Sequence, residues 1–62
     1  MYYAQYNEHE NTAYTFKGKY CVAEYNFNNG VFQEHDMLSE QEQDYLLELM
    51  EQCKKEYNHE YY

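Results

Sequence analysis

The sequence predicts an α+β fold: a short antiparallel sheet of two or three strands, with one C-terminal α-helix packed on one face. Two observations predict it. Residues 20–27 alternate in polarity with period two, and the dipeptide Asn29-Gly30 follows, which is a strong β-hairpin signal. Residues 38–55 then carry apolar side chains at helical spacing. With 62 residues, the chain is expected to form a single small domain over 1–62.

The strands are assigned by alternation. Residues 2–6 are a candidate edge strand, and the sequence leaves open whether they join the sheet. Tyr14 and Phe16 share one face of the next strand, and the residues 17–19 form a turn around a glycine. In the third segment one set of side chains is expected to face the core: Cys21, Ala23, Tyr25 and Phe27.

A two-residue turn at Asn29-Gly30 predicts the register of the last hairpin. Both turn residues would take positive φ, and Phe27 would lie opposite Phe32 on the core face. Tyr20 and Val22 would then lie on the opposite sheet face, for which the chain offers no cover.

The helix carries signals at both ends. Ser39 is a suitable N-cap, and Glu42 completes a capping box with it. The lysines Lys54 and Lys55 suit the negative end of the helix dipole. One apolar stripe is expected to face the sheet, formed by Leu46, Leu49, Met50, Cys53 and Tyr57. Residues 58–62 are predicted to be a frayed tail.

Charge is the first constraint on function. Twelve acidic residues against four basic ones give a formal net charge of −8. This charge disfavours direct binding to nucleic acid or to an anionic membrane and favours basic protein partners. The chain also has ten tyrosines, more than so small a domain can bury, and tyrosine is enriched in interfaces. Without a membrane-length apolar run or an export segment, we expect a soluble cytoplasmic protein.

Catalytic and metal chemistry are not expected. The sequence has no glycine-rich phosphate loop, no nucleophile elbow and no arginine, so an enzyme or a cofactor is not predicted. Each histidine neighbours a carboxylate, but no pair has the i, i+4 spacing of helical metal ligands, and no metal is predicted. Cys21 and Cys53 both lie on apolar faces, which favours buried thiols, and a disulfide between them stays open.

The helix also carries carboxylates in a row on its polar side. Glu40, Asp44, Glu48 and Glu51 are i+3 or i+4 neighbours, and each like-charge pair costs roughly 0.2–0.5 kcal/mol. Glu34 and Asp36 extend the row toward the N-terminus. Successive carboxylates rise by about 6 Å, a step similar to that between phosphates of a nucleic-acid strand.

This array suggests an inhibitor that imitates nucleic-acid phosphates and blocks the basic cleft of a DNA- or RNA-handling protein. Three tyrosines are candidate aromatic contacts: Tyr20, Tyr25 and Tyr45. By analogy of class, small acidic proteins of this kind occur among phage-encoded inhibitors of host defence, repair and transcription enzymes, which would place the chain in a bacterial host. The alternative is a homo-oligomeric structural or regulatory adaptor, such as a homodimer, that uses an exposed tyrosine-rich sheet face.

Overall fold

The structure is a computed structural model that describes residues 1–59. It contains a four-stranded antiparallel sheet in the order β1-β2-β3-β4, followed by one helix. The elements are β1 (Tyr2–Asn7), β2 (Thr12–Lys17), β3 (Tyr20–Asn26), β4 (Val31–Glu34) and α1 (Glu40–His59). The predicted class is confirmed, but the strand number is four, because the candidate segment at residues 2–6 does form β1. Of the predicted frayed tail, residues 58 and 59 belong to the helix, and residues 60–62 lie outside the described residues.

The helix begins with the predicted capping box. The Glu42 backbone N–H donates to the Ser39 hydroxyl, and the Ser39 N–H donates to the Glu42 carboxylate, each at 3.1 Å. The Ser39 carbonyl also accepts the first helical hydrogen bond, from Gln43 at 2.9 Å. These bonds satisfy amide groups that the first turn of a helix otherwise leaves unpaired.

The core lies between the helix and one face of the sheet. Leu46 and Met50 are fully buried against Ala13, Val22 and Ala23, whose small side chains let the helix approach the strands closely. The helix lies mainly over β1 and β2 and reaches β3 only at its margin. Partly buried apolar and aromatic side chains pack against this centre: Tyr2, Ala4, Tyr6, Tyr25, Phe27, Phe32 and Leu38.

A β-bulge changes the predicted faces of β3. Thr15 pairs with Ala23 but Phe16 pairs with Cys21, so Val22 is an extra residue opposite the Thr15/Phe16 step. Val22 and Ala23 are both buried in consequence, and Cys21 joins Phe16 on the other face. The expected exposure of Val22 and the core position of Cys21 are therefore wrong. The expected place of Tyr20 on the open face is wrong as well, because Tyr20 pairs with Lys17, which pairs with Tyr2 on the helix side. The reason is that a classic bulge places two successive side chains on one face.

The hairpin between β3 and β4 also departs from its prediction. Tyr25 pairs with Phe32 and Asn26 with Val31, so the loop comprises the four residues 27–30 rather than Asn29-Gly30 alone. Gly30 has a φ of +71°, as expected, and its N–H donates to the Asn26 carbonyl at 2.8 Å. The positive φ expected at Asn29 is wrong, because the four-residue loop does not require it there. Because the register differs by two residues, Phe32 keeps the predicted face while its partner becomes Tyr25.

Tertiary contacts account for the longer loop. The Phe27 N–H donates to the Asn11 carbonyl at 2.9 Å, which takes Phe27 out of the ladder. Its ring instead packs against Tyr25 at 4.8 Å and Tyr6 at 5.9 Å between ring centroids. Asn11 has a φ of +51° and also accepts from the Tyr6 hydroxyl at 2.6 Å, so this one residue ties two loops and β1 together.

Candidate functional site

The acidic stripe, Glu40, Asp44, Glu48 and Glu51, lies on the solvent side of the helix. All four residues are exposed, whereas Leu46 and Met50 on the other side are fully buried. At 1.5 Å of rise per residue, the stripe extends over about 16 Å of helix axis. Within residues 1–59, the ion pair recorded is between Glu24 and His35, and no lysine comes within 4 Å of a stripe carboxylate.

The nearest lysines do not neutralise the stripe. The Lys54 ammonium lies 4.4 Å from the Phe27 ring centroid and 5.9 Å from that of Tyr6, which is a cation–π position on the sheet side of the helix. Lys55 is exposed one turn beyond Glu51, at i+4 spacing, and so lies at the C-terminal end of the stripe. The stripe therefore presents four charges with little local compensation.

Glu34 lies next to the stripe, whereas Asp36 serves the turn before the helix. Glu34, at the end of β4, accepts a hydrogen bond from the Gln43 side chain at 3.0 Å. Gln43 is the residue before Asp44, so the bond places the Glu34 carboxylate beside the helix. Asp36 is exposed and accepts the Met37 N–H at 2.8 Å. Both predicted extensions are thus on the surface, and Glu34 is held in place.

The three predicted tyrosines are in different environments. Tyr45 directly follows Asp44 and is 53% exposed, with its ring 6.3 Å from that of Tyr2. Tyr20 is also 53% exposed, and its hydroxyl donates to the His35 carbonyl at 2.7 Å, near Asp36 in the chain. Tyr25 is half-buried in the aromatic cluster with Phe27. Tyr45 is therefore the aromatic residue best placed beside the stripe.

Two residues near the site escaped the sequence reasoning. Gln43 links the helix to β4 and also donates to the Leu38 carbonyl at 3.3 Å. Tyr2 donates to the Glu42 carboxylate at 3.1 Å, across forty residues of sequence. The sequence holds no local signal for either contact, because both depend on how the helix lies over the sheet.

Glu42 is chemically distinct from the stripe carboxylates. Its pKa is lowered by the hydrogen bonds from the Ser39 N–H and hydroxyl and from the Tyr2 hydroxyl. The pKa of Tyr2 is raised in turn, mainly by its hydrogen bond to Glu42. Glu42 is thus committed to the helix cap and to β1, and it is not available to a partner in the way Asp44 or Glu48 is.

The open face of the sheet, opposite the helix, mixes aromatic and polar groups. Tyr3, 47% exposed, stacks on Phe16 at 5.4 Å, and Glu24 pairs with His35 at 2.8 Å. Tyr14 donates to Glu10, and this bond raises the pKa of the Tyr14 hydroxyl to about 12. Polar and charged groups thus lie among the aromatic side chains of this face.

The two cysteines are free thiols. Cys21 lies on the open sheet face and Cys53 on the helix, both half-buried. Burial raises the pKa of each thiol, so neither has the lowered pKa of a reactive cysteine. No disulfide joins them in the structure.

The described residues, 1–59, include no group of three His, Cys, Asp or Glu side chains arranged to hold a metal ion. Over the same range no cavity is found that would hold a small ligand. The helix of this part of the chain lacks the apolar length needed to cross a membrane. What the surface offers to a partner is therefore charge and aromatic area.

Comparison of the chain with protein-family models, with curated proteins and with solved structures finds no match.

Proposed function

We propose that the protein is an inhibitor that binds the basic cleft of a nucleic-acid-handling protein by presenting the acidic stripe in place of phosphates. The observation that carries this proposal is the uncompensated row of four exposed carboxylates on the solvent side of a helix anchored to the sheet. An ordinary solvated helix face would mix both signs of charge.

The support is geometric as well as electrostatic. A cleft that binds nucleic acid uses lysines and arginines to replace counterions along a regular row of phosphates. The stripe offers carboxylates whose positions rise by about 4.5–6 Å per step along the helix axis, and Glu34 adds a charge from the neighbouring strand. The capping box and the buried Leu46 and Met50 hold the helix in place, so little order has to be created on binding.

Tyr45 gives the surface a second kind of contact. Its ring is exposed beside Asp44, where a base or sugar would lie next to a phosphate in the imitated strand. In proteins that bind single-stranded nucleic acid, stacking of a base on an aromatic side chain contributes about 1–3 kcal/mol per base. Tyr45 would take the place of that base. On this proposal Tyr45 occupies a site in the partner that normally receives a nucleotide.

The test is capture of basic proteins from a bacterial lysate on immobilised protein, followed by competition. We expect captured partners to be released by duplex DNA or RNA and by raising NaCl from about 0.05 to 0.5 M, because the contact releases counterions. A double variant, Asp44→Asn with Glu48→Gln, should lose this capture. Partners that nucleic acid fails to displace would contradict the proposal.

A matched control separates the stripe from net charge. Glu8→Gln with Glu10→Gln also removes two negative charges, but from the loop between β1 and β2. Each glutamine keeps an oxygen that can accept from Tyr57 or Tyr14, the partners of these glutamates now. This control should bind like the unaltered protein. Equal loss in both double variants would mean that total charge, and not the stripe, governs binding.

The alternative function, an adaptor that assembles through the open sheet face, receives less support. Val22, which was expected on that face, belongs to the core, and the face carries the Glu24–His35 pair and glutamines among its aromatic residues. Self-association through another surface is a separate matter.

A further inference from the structure

The outer edge of β1 has none of the features that keep edge strands apart. Its six residues, YYAQYN, include no charge, no proline and no glycine, and no described strand pairs with its outer side. The opposite edge strand, β4, has only four residues and ends in Glu34. An uncharged edge of full length presents unpaired backbone N–H and C=O groups to another strand.

The side of the helix above this edge carries fewer charges than the solvent side. At 100° per residue, four residues follow one another on that side: Gln41, Tyr45, Leu49 and Gln52, here called the β1 flank. The contact between the Tyr45 and Tyr2 rings shows that this side lies toward β1. The Gln43–Glu34 bond shows that the other side lies toward β4. Two acids border the flank: Glu42 at its N-terminal end, where it accepts from Tyr2 of β1, and Glu56 at its C-terminal end.

We propose that β1 and the β1 flank bind a second copy of the chain. Two β1 strands would pair antiparallel about a two-fold axis and join the sheets into one of eight strands, with both helices on the same side. Tyr45 and Leu49 of each copy would then pack against the partner helix. This interface goes beyond the proposed function and does not rest on it. Both use the Tyr45 ring, so a second copy and a partner that receives this ring would compete for it.

The spacing of the elements fits this arrangement. Strands in a sheet lie about 4.8 Å apart, and the helix contacts mainly β1 and β2. A helix axis midway between these two strands would lie about half a spacing inside β1. Pairing β1 with its copy adds one further spacing, which puts the two helix axes about 10 Å apart. Packed helices are separated by 8–10 Å, so the two β1 flanks would meet without a gap or a clash.

Among the surfaces of the chain, this one repels a second copy least. Each chain carries a net charge of −8, so two copies approach most readily where acids are fewest. The acidic stripe lies on the outer side of the helix and toward β4, whereas β1 and its flank are aromatic and amide-rich. Interface cores show this same depletion of charge and enrichment of tyrosine.

Salt dependence distinguishes the dimer from the binding of a basic partner. Added salt screens the repulsion between two acidic copies and should strengthen the dimer. The same salt should weaken capture of a basic protein by the stripe. Failure of one proposal would thus leave the other standing.

The experiment is sedimentation equilibrium from about 5 to 500 μM chain, at low and high NaCl. We expect a species of twice the 7.7 kDa chain mass that gains population with concentration and salt. Tyr45→Glu with Leu49→Glu should raise the dissociation constant by at least about tenfold, since both side chains would be central to the contact. Val31→Glu with Gln33→Glu, two exposed residues on the far edge strand β4, is the matched control and should dimerise normally.

Two further readouts keep the result unambiguous. Circular dichroism melting of the variants shows whether they fold. Hydrogen exchange of β1 amides should slow with concentration in the unaltered protein and in the β4 variant, but not in the flank variant. A monomer at every concentration would overturn the proposal, even if some other protein covers the edge. So would a dimer that the β4 variant disrupts and the flank variant leaves intact.

Discussion

Thr15 lies in the middle of β2, beneath the helix, with a fully buried side chain. Its hydroxyl has no hydrogen-bond partner among the described residues. A buried hydroxyl without a partner loses its bonds to water and costs about 1–3 kcal/mol. We therefore expect Thr15→Val, which keeps the shape and removes the hydroxyl, to raise the free energy of unfolding by about 1–3 kcal/mol in urea titrations.

Thr12 provides the comparison within the same strand. It is also buried, but its hydroxyl donates to the Glu10 carbonyl at 3.1 Å. Thr12→Val should consequently lower the free energy of unfolding, by about 1 kcal/mol. If Thr15→Val destabilises the protein as much as Thr12→Val does, the Thr15 hydroxyl has a partner in solution.

Glu42 supplies a pH-dependent part of the stability. Its folded-state pKa lies below the ordinary value of 4.5, because Ser39 and Tyr2 donate hydrogen bonds to its carboxylate. The stabilisation is fully present above pH 4.5 and is lost as the pH falls through the lowered folded-state pKa. In thermal melts, Glu42→Gln should therefore be less stable than the unaltered protein at neutral pH, and the difference should vanish in strong acid. A difference that persists there would contradict this role.

At the scale of the helix, the acidic stripe acts against stability. Glu48 has Asp44 four residues before it and Glu51 three residues after it, and both are exposed like itself. Glu48→Gln removes two like-charge pairs and should stabilise the protein by about 0.4–1 kcal/mol at low salt. Glu40→Gln should gain less or lose stability, because Glu40 in the first turn also favours the helix dipole. Thermal melts of both variants check this order.

The helix was predictable from the sequence because its signals are local. Ser39 and Glu42 form the cap from neighbouring residues, and the apolar side chains that include Leu46 and Met50 follow the helical period. The strands were less predictable from the sequence. The alternation through Val22 gives no sign of a bulge, and the Asn29-Gly30 signal was overridden when Phe27 bonded to Asn11 and packed on Tyr6. Contacts distant in sequence decided both points.

Some features of the candidate site were likewise predictable from the sequence and others were not. The exposure of Asp44 and Glu48 follows from the helical period and the choice of apolar side, so the sequence was sufficient for it. The packing of the Phe27 ring against Tyr25 and the hydrogen bond from Gln43 to Glu34 were not predictable. Each depends on which strand lies beside which part of the helix.

At the scale of the whole molecule, the net charge of −8 means that acidic side chains repel one another. This repulsion is stronger in the compact fold than in the extended unfolded chain. Salt screens this repulsion, so the melting temperature should rise as NaCl is raised from about 0.01 to 0.5 M. Differential scanning fluorimetry measures the rise. The Asp44→Asn, Glu48→Gln double variant should start from a higher melting temperature and gain less from salt. A melting temperature that falls with salt would mean that favourable ion pairs outweigh the repulsion.

Each strand pairs with the strand that follows it, across loops of two to four residues. Such hairpins close with little loss of chain entropy, so they should form early during folding. The helix, by contrast, joins β1 through contacts between distant parts of the sequence, such as Tyr2 with Glu42. Docking of the helix on the sheet is then the late step. A substitution at Leu46 that weakens this packing should accelerate unfolding and leave the folding rate almost unchanged.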